Sequence, residues 1–337
     1  YSDGRYLDLR RHVGVDPETV LGLDDDVGLN PNLVGLHGAG LAVIEGVGMA
    51  EPDLSHFESA RRWWRGDMTG TATTTTGFLG RLCDQLEGDE PVTGLSLGRG
   101  MSPAIRSEQA VTLGIQNPAA TGGLLSGDER LVHARDLLAN LSLPADEDRP
   151  LHVLAREHLG RALDFLDVVE ELPEVESAEY PGSELGRLLR TTARLIAAGS
   201  GVRVVHIPWG SFDTHDNHRS AHDRHLAELD AAVTAFLAEL AALGLADTTL
   251  VATTSEFGRR PAASGNGTDH GTVSSMLLAG PVNPGRHGET PSLRDLDAYD
   301  NLVATVGLDE YYATLGEAWF GVPASAVLAN SPAPIPD

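Results

Sequence analysis

The stretch that decides the fold runs from VRVVHI at residues 202–207, through SAHDRHLAELDAAVTAFLAELAAL at residues 220–243, to TLVAT at residues 249–253. The first and last segments are short apolar runs typical of buried strands, and the segment between them has apolar residues at helical spacing. A strand, a helix and a second strand with short polar connections predict a parallel unit. We therefore expect an α/β fold with a doubly wound, mostly parallel sheet and helices on both faces.

The rest of the chain extends this pattern. Three further strands are predicted, at residues 40–46, 91–97 and 276–279. Residues 117–127 are predicted to be a flexible connection, and the pattern over about 128–198 is helical and acidic, which indicates a helical cap or insertion. A length of 337 residues suits one large α/β domain that carries such an insertion, so we expect a single domain over residues 1–337.

The charge of the chain excludes several classes of partner. Forty-nine acidic residues against twenty-four basic ones give a formal net charge of −25, and every one of those basic residues is Arg. Such a surface repels phosphate backbones and anionic lipid, so we expect no nucleic-acid partner. No apolar run approaches the length of a membrane span, so we expect no membrane insertion.

Three polar clusters follow the predicted strands: DTH at residues 213–215, SEFGRR at residues 255–260 and GTDHG at residues 267–271. In parallel sheets, ligands bind beyond the carboxyl ends of the strands, which is where these loops are expected. Carboxylate oxygens mixed with imidazole nitrogens are the donors that divalent cations prefer. We predict a divalent metal site, with zinc favoured over manganese, calcium or magnesium. The candidate ligands are Asp213, His215, Glu256, Asp269 and His270.

Each cluster also has a simpler interpretation. Asp213 and His215 alone fit an Asx-turn beside a surface histidine, and Glu256 fits a solvated carboxylate after a strand. Asp269 is either a ligand or a hydrogen-bond partner of His270. Arg259 and Arg260 either bind an anionic substrate or neutralise Glu256, and the sequence does not choose between these roles. The co-occurrence of all three clusters favours the metal site.

Ser55 lies at the predicted start of a helix over residues 55–64. With Glu58 three residues later it fits a capping box, in which the serine has a structural role. A hydroxyl at this position also lies where an anion is stabilised by free N–H groups, and a nearby metal would make it a nucleophile. Both roles stay open for Ser55, and His56 beside it is an additional candidate ligand.

Three histidines form a second possible metal stripe. His218, His222 and His225 are spaced along one face of the predicted helix, close behind His215. The stripe lacks the glutamate of a His-Glu-x-x-His motif, because Arg219 follows His218. The apolar face of the helix falls on other positions, so we expect these side chains to face solvent, with His218 alone kept as a candidate ligand.

These motifs resemble the domain-of-unknown-function family 1501, in the alkaline-phosphatase-like superfamily of phosphatases and sulfatases. The resembling stretches are residues 48–64 with Ser55-His56-Phe57, then residues 212–215, 255–260 and 267–271, and the end of the chain from 300–302 to 319–323. The resemblance implies an alkaline-phosphatase-like fold, a binuclear metal site and a nucleophile that attacks phosphate or sulfate esters. By position, Ser55 resembles the nucleophile, and Asp213, His215, Glu256 and His270 resemble metal ligands.

The chain departs from the family pattern in two places. Glu256-Phe257 stands where many superfamily members have Asp-His, which removes one imidazole. Family members also begin with a strand and a Gly-Gly-x-Asp-Gly segment that supplies a further carboxylate, whereas this sequence starts at Tyr1 with Asp3-Gly4 nearby. Three interpretations stay open: the N-terminal strand is missing, Asp3-Gly4 is a remnant of it, or one metal position is impaired.

Two functions are expected from these residues. The first is an exported, metal-dependent hydrolase of phosphate or sulfate esters, acting on a small molecule or a polysaccharide, with Ser55 as nucleophile and with Arg259 or Arg260 neutralising charge. Export, by the twin-arginine route, is implied by the resemblance alone. The alternative is a non-catalytic secreted or surface binding protein that keeps the fold and one structural cation.

Overall fold

A computed structural model describes residues 1–86, 88–116, 129–145 and 149–336. Within these residues the chain is an α/β protein that forms two compact units, which confirms the predicted class. The first unit consists of Tyr1–Thr74, Ser177–Arg187 and Gly210–Asp337, and the second consists of Thr75–Glu176 and Leu188–Trp209. The single domain over residues 1–337 stays a prediction, and the predicted connection at residues 117–127 lies outside the described residues.

Helices account for much of the described chain. The α-helices are α1 (Gly4–Leu9), α2 (Val34–Ala39), α3 (His56–Arg65), α4 (Phe78–Leu86), α5 (Glu129–Ser142), α6 (Pro150–Glu170), α7 (Glu184–Ala197), α8 (His218–Ala242), α9 (Leu308–Ala313) and α10 (Ala324–Val327). Short 3-10 helices cover Pro17–Thr19, Pro103–Ile105 and Ala246–Thr248, and a π-helix covers Thr314–Trp319. No helix among the described residues combines the length and the apolarity that crossing a membrane requires.

Strands are short and belong to several sheets. They are β1 (Leu21–Gly22), β2 (Gly28–Leu29), β3 (Ala42–Gly48), β4 (Gly94–Leu97), β5 (Thr112–Ile115), β6 (Val204–His206), β7 (Val251–Ala252), β8 (Gly258–Ser264), β9 (Gly267–Gly271), β10 (Val273–Ala279), β11 (Gly285–His287) and β12 (Val306–Gly307). The strands predicted near residues 40–46, 91–97, 202–207, 249–253 and 276–279 are all present in this set, with shifted ends.

The first unit is organised around β3, in which every residue is buried. An almost continuous apolar run explains this burial, because a strand covered on both faces needs no polar alternation. Strand β10 pairs antiparallel with β3 and with β7, and the short strands β11 and β12 pair parallel with β3. The sheet of this unit is therefore mixed.

The second unit contains a parallel sheet of three strands in the order β5-β4-β6. Strand β4 is buried at every residue, and Leu95 and Leu97 pack in a core with Phe165 from α6 and Leu188 from α7. These apolar contacts explain why the segments fold together. Helices α5, α6 and α7 confirm the helical character predicted for about 128–198, although residues 128 and 146–148 lie outside the described residues.

One detail of the predicted sheet is wrong. The strands predicted at residues 202–207 and 249–253 do form, as β6 and β7, and α8 lies between them, but they do not share a sheet. Strand β6 pairs with β4, whereas β7 pairs antiparallel with β10, with Ala252 opposite Leu278. The sequence pattern predicted the strands but not which strands pair. After β7 the chain forms the antiparallel pair β8–β9 and then β10, and it is β10 that pairs with β7.

Helix α8 is anchored in the first unit by its contact with α2. The N–H of Gly35 donates to Asp230 Oδ2 at 3.0 Å, and the N–H of Leu36 donates to Asp230 Oδ1 at 2.8 Å. Leu33, the residue that precedes α2, offers no capping side chain, so the carboxylate of α8 satisfies N–H groups that the helix leaves unpaired.

Replacing Asp230 with Ala is expected to lower the free energy of unfolding by about 1–3 kcal/mol, because two N–H groups lose a charged acceptor. Urea denaturation followed by circular dichroism measures this change. Glu228→Ala, on the same helix, is the matched control and is expected to change stability by less than about 0.5 kcal/mol. Equal effects of the two substitutions would show that the Asp230 contacts contribute nothing beyond helix propensity.

Candidate metal centre

The carboxylate of Asp213 is the centre of the candidate site. It lies in the loop that precedes α8, and its Oδ1 accepts a hydrogen bond from Arg259 Nη1 at 2.7 Å. The same oxygen lies 2.8 Å from His215 Nε2 and 2.9 Å from His270 Nε2. The two Nε2 atoms are 3.1 Å apart. Three of the five predicted ligands therefore converge on one point.

The second oxygen of Asp213 faces a different imidazole. Asp213 Oδ2 lies 3.2 Å from His56 Nε2, and His56 Nδ1 lies 2.8 Å from Glu256 Oε1. His56, Asp213 and His270 offer one donor atom each within 4.8 Å of one another. His56 is the first residue of α3, and its ring packs against Phe257 with centroids 4.8 Å apart. Phe257 stands where the family pattern led us to expect a histidine. The imidazole of His56 lies beside Phe257 and contacts the carboxylates of Asp213 and Glu256.

Strands β8 and β9 position two of the site residues. Arg259 on β8 is directly opposite His270 on β9. The sequence suggested a polar loop at residues 267–271, but the segment is a strand whose glycines allow close approach. A Cβ on Gly267 would lie 2.1 Å from the carbonyl oxygen of His215. A side chain at this position would therefore displace residues 213–215, which we call the ligand loop because they carry two of the candidate ligands.

The partners of the ring nitrogens indicate where the protons lie. His270 Nδ1 is 2.8 Å from the carbonyl oxygen of Leu54, to which it can only donate. His215 Nδ1 is 3.2 Å from Asp269 Oδ1, so Asp269 contacts His215 and not His270, the partner considered from the sequence. When both Nδ1 atoms carry the proton, both Nε2 atoms present lone pairs to the Asp213 carboxylate. In that tautomer the three atoms can hold a cation together, whereas with the proton on Nε2 the same contacts are hydrogen bonds to the carboxylate.

The separations match those of ligands around one cation. Metal–nitrogen bonds of about 2.0–2.1 Å place neighbouring ligand atoms about 3 Å apart in tetrahedral or octahedral geometry. The three separations among Asp213 Oδ1, His215 Nε2 and His270 Nε2 are 2.8, 2.9 and 3.1 Å. The donor set and its spacing therefore fit a divalent cation.

The electrostatics of the site stabilise the ionised carboxylate. Partial burial alone would raise the pKa of Asp213, but hydrogen bonds from Arg259, His270 and His56 and the charge on His215 bring it well below its usual range. Partial burial would lower the pKa of His56, but hydrogen bonds to Glu256 and Asp213 raise it above its ordinary value. The site is a compact array of opposite charges.

A second layer of buried side chains fixes Arg259. Arg259 Nε donates to Thr268 Oγ1 at 3.0 Å, and Arg259 Nη2 donates to the carbonyl oxygen of Thr268, which is fully buried. Thr214, between the two candidate ligands of its own loop, has its Oγ1 2.6 Å from His218 Nδ1, within hydrogen-bond distance. Neither threonine was predicted from the sequence, although DTH and GTDHG each contain one next to a candidate ligand.

His218 lies outside the donor cluster. Its side chain is 6 % exposed and its ring stacks on His222 with centroids 5.0 Å apart, so the prediction that this stripe faces solvent is wrong. Burial and the nearby cations His222, Arg10 and Arg259 lower the pKa of His218 to about 4. Its Nδ1 shares a hydrogen bond with the Thr214 hydroxyl group, so His218 supports the loop that carries Asp213 and His215.

Ser55 lies at the rim of the cluster. It is exposed, it precedes α3 as predicted, and its neighbours Leu54 and His56 both contact site residues. The predicted capping box is wrong, because the Ser55 side chain makes no capping hydrogen bond and Glu58 instead pairs with Arg61 and Arg62. Those two guanidinium groups lower the pKa of Glu58 to about 2.

The other predicted arginine has a different role from Arg259. Arg260 Nε donates to the carbonyl oxygen of His270 at 3.4 Å, and its own carbonyl oxygen accepts from Arg10 Nη2 at 2.7 Å. Its guanidinium charge acts on Asp297 and helps to lower the pKa of that carboxyl group. Of the two roles that the sequence left open for the arginines, the contacts of the described residues show Arg259 paired with Asp213 rather than with Glu256.

A family model described as a protein of unknown function (DUF1501) matches residues 39–324. The chain belongs to this family. The matched region includes every residue of the cluster, from Ser55 to His270. A comparison with curated proteins finds no match.

Stability is expected to fall on acidification because of His218. Its pKa is about 4 in the folded chain and 6.5 when unperturbed, so between these values the unfolded chain binds the extra proton. The free energy of unfolding should therefore decrease by up to about 1.4 kcal/mol per pH unit from this residue alone. Urea denaturation between pH 7 and pH 4 measures the loss, with His218→Asn as comparison.

Asn at position 218 offers an acceptor to Thr214 but does not titrate, so the difference in stability between the two proteins should shrink as the pH falls from 6.5 to 4. His206, whose pKa burial also lowers, is present in both proteins and cancels in the difference. A difference that stays constant over this range would contradict the assignment.

Proposed function

We propose that this protein is a metal-dependent hydrolase of phosphate or sulfate esters. The observation that carries the proposal is the convergence of His215 Nε2 and His270 Nε2 on one oxygen of Asp213, with His56 on the other oxygen. Asp213 thus offers Oδ1 to the first group of candidate ligands, His215 and His270, and Oδ2 to the second group, His56 with its partner Glu256. A divalent cation, zinc in first place and manganese, calcium or magnesium as alternatives, would polarise the ester and lower the pKa of a nearby hydroxyl.

Ser55 is the proposed nucleophile. Its hydroxyl is exposed and uncommitted to helix capping, and its two neighbours are held by the cluster, through Leu54 to His270 and through His56 to Glu256 and Asp213. Ser55 Oγ would attack phosphorus or sulfur, the alcohol of the ester would leave, and water would then release the inorganic anion. Arg259 and Arg260 are the proposed sources of positive charge for the transition state.

A pocket beside Glu256 combines the polar residues Asp53 and Glu256 with the apolar side chains of Met49, Met276 and Leu308, and it has room for a water-sized group only. The alcohol portion of a small-molecule or polysaccharide ester would therefore lie outside this pocket.

The fold and location that accompany this function are also proposals. The alkaline-phosphatase-like superfamily, with its doubly wound sheet, is supported by the α/β class and by the ligand loops that follow β6 and β7. The resemblance to exported proteins of this superfamily supports a location outside the cytoplasm.

A non-catalytic binding protein is the second candidate. The ring of Phe257 favours it, because this ring lies 4.3 Å from His270 and 4.8 Å from His56 and occupies space within the cluster. Under this alternative the cation has a structural role and Ser55 is a helix boundary only.

The purified protein is expected to bind about one or two equivalents of zinc per chain. Mass spectrometry of metal content after incubation with zinc, manganese, calcium or magnesium measures this. Asp213→Ala should lose most of the bound metal, because it removes the oxygens that both groups of donors face. Asp216→Ala, in the same loop and exposed, is the matched control and should keep it. A metal-free wild-type protein under all four conditions would remove the basis of the proposal.

Ser55→Ala is expected to reduce turnover of aryl phosphate, phosphodiester or aryl sulfate substrates by at least about a thousandfold, with metal content unchanged. Ser220→Ala, at an exposed serine on α8, should retain activity. Retained activity in Ser55→Ala would assign Ser55 to the helix boundary only. Metal binding by the wild-type protein without turnover of any substrate would favour the binding protein.

A further inference from the structure

Arg259 uses every part of its guanidinium group in the cluster. Nε and Nη2 both donate to Thr268, and Nη1 donates to Asp213 Oδ1 at 2.7 Å. The side chain is only 16 % exposed, so few water molecules compete for these contacts. All three nitrogen atoms of the Arg259 side chain therefore already donate to acceptors within the protein, unlike those of a solvated surface arginine.

The contact with Asp213 creates a competition. Asp213 Oδ1 is the oxygen that faces both His215 Nε2 and His270 Nε2, which makes it the shared ligand atom of the candidate cation site. A guanidinium on this oxygen places a positive charge a few ångströms from the cation position. Like charges at such a distance repel, because the distance is shorter than the screening length of about 8 Å at physiological ionic strength.

The geometry also provides a way to relieve the repulsion. Two of the three contacts of Arg259 are on Thr268, which is fully buried and held by its N–H to the Thr214 carbonyl oxygen at 3.2 Å. Thr268 fixes one edge of the guanidinium, and Nη1 is the end that reaches Asp213. A tetrahedral anion offers this end charged oxygens of the kind that arginine prefers.

We propose that Arg259 couples the binding of the cation to the binding of the anionic ester. Without an anion, Nη1 occupies Asp213 Oδ1 and weakens cation binding. An anion draws Nη1 away from Asp213, which frees the oxygen for the cation, and by thermodynamic reciprocity the cation then tightens the binding of the anion. The inference rests on the proposed function, since it requires the cation site.

The test is a chelator-buffered zinc titration of the whole chain, with and without inorganic phosphate, and in parallel with inorganic sulfate. In the wild-type protein either anion should tighten zinc binding about tenfold. Arg259→Gln should bind zinc about tenfold more tightly than wild type without anion, and phosphate and sulfate should tighten its zinc binding much less than in wild type, because only the direct attraction between anion and cation is left. The readout is the zinc dissociation constant, so it does not depend on turnover.

Arg219→Gln is the matched control, because Arg219 carries the same charge near the start of α8 and donates to a backbone carbonyl group, that of Gly14, at 2.7 Å. It should keep the wild-type affinity and the anion effect. Arg259→Lys, which retains the charge, should bind zinc no more tightly than wild type. Thermal melts establish that each protein is folded, and Arg259→Met replaces the Gln variant if that one does not fold.

The outcomes separate this inference from the proposed function. Equal zinc affinity in wild type and folded Arg259→Gln, or an anion effect of undiminished size in Arg259→Gln, would overturn the coupling and leave the metal site standing. Failure of wild type and Arg259→Gln to bind zinc under any condition would overturn both. An anion effect lost equally in Arg219→Gln would assign it to general surface charge and would also overturn the role of Arg259.

Discussion

The candidate site depends on the negative charge of one carboxylate, Asp213. In a chain with a net charge of −25, this carboxylate collects three imidazoles and a guanidinium within hydrogen-bond distance. Its two oxygens contact different partners. Because the carboxylate charge is shared by both oxygens, neutralising one of them weakens the attraction of the other for its own partners. The pKa of Asp213 is lowered accordingly, and the ionised form is the one that holds the array together.

Segments far apart in sequence supply the partners of this carboxylate, and backbone contacts hold them in place. The N–H of Thr268 donates to Thr214 and the N–H of His218 donates to Asn266, so β9 and the ligand loop are joined on both sides of His215. His270 reaches the start of α3 through the Leu54 carbonyl oxygen. The geometry of the candidate ligands is thus a property of the backbone as well as of the side chains, which is what a preorganised site requires.

Much of this arrangement could be predicted from the sequence, and the part that could not has physical reasons. Apolar runs and helical periodicity identified the strands and α8, because burial depends on local pattern. Strand partners depend on contacts between distant segments, so the separate sheets of β6 and β7 were missed. The clustering of Asp213 with His270 followed from motif chemistry. The burial of His218 did not, because a histidine on a polar stripe gives no sign that a neighbouring hairpin covers it.

The residues on either side of Ser55 make contacts within the candidate site, whereas the Ser55 hydroxyl group makes no capping hydrogen bond. The hydrogen bond to the Leu54 carbonyl oxygen and the ring contacts of His56 act on the residues either side, while the hydroxyl makes no capping bond. The Cα of Ser55 is therefore held firmly, but rotation about χ1 can sample its staggered wells without breaking a cap. A side chain of this kind can turn at a cost set by torsional preference alone, which is the freedom that Ser55 would need as the proposed nucleophile.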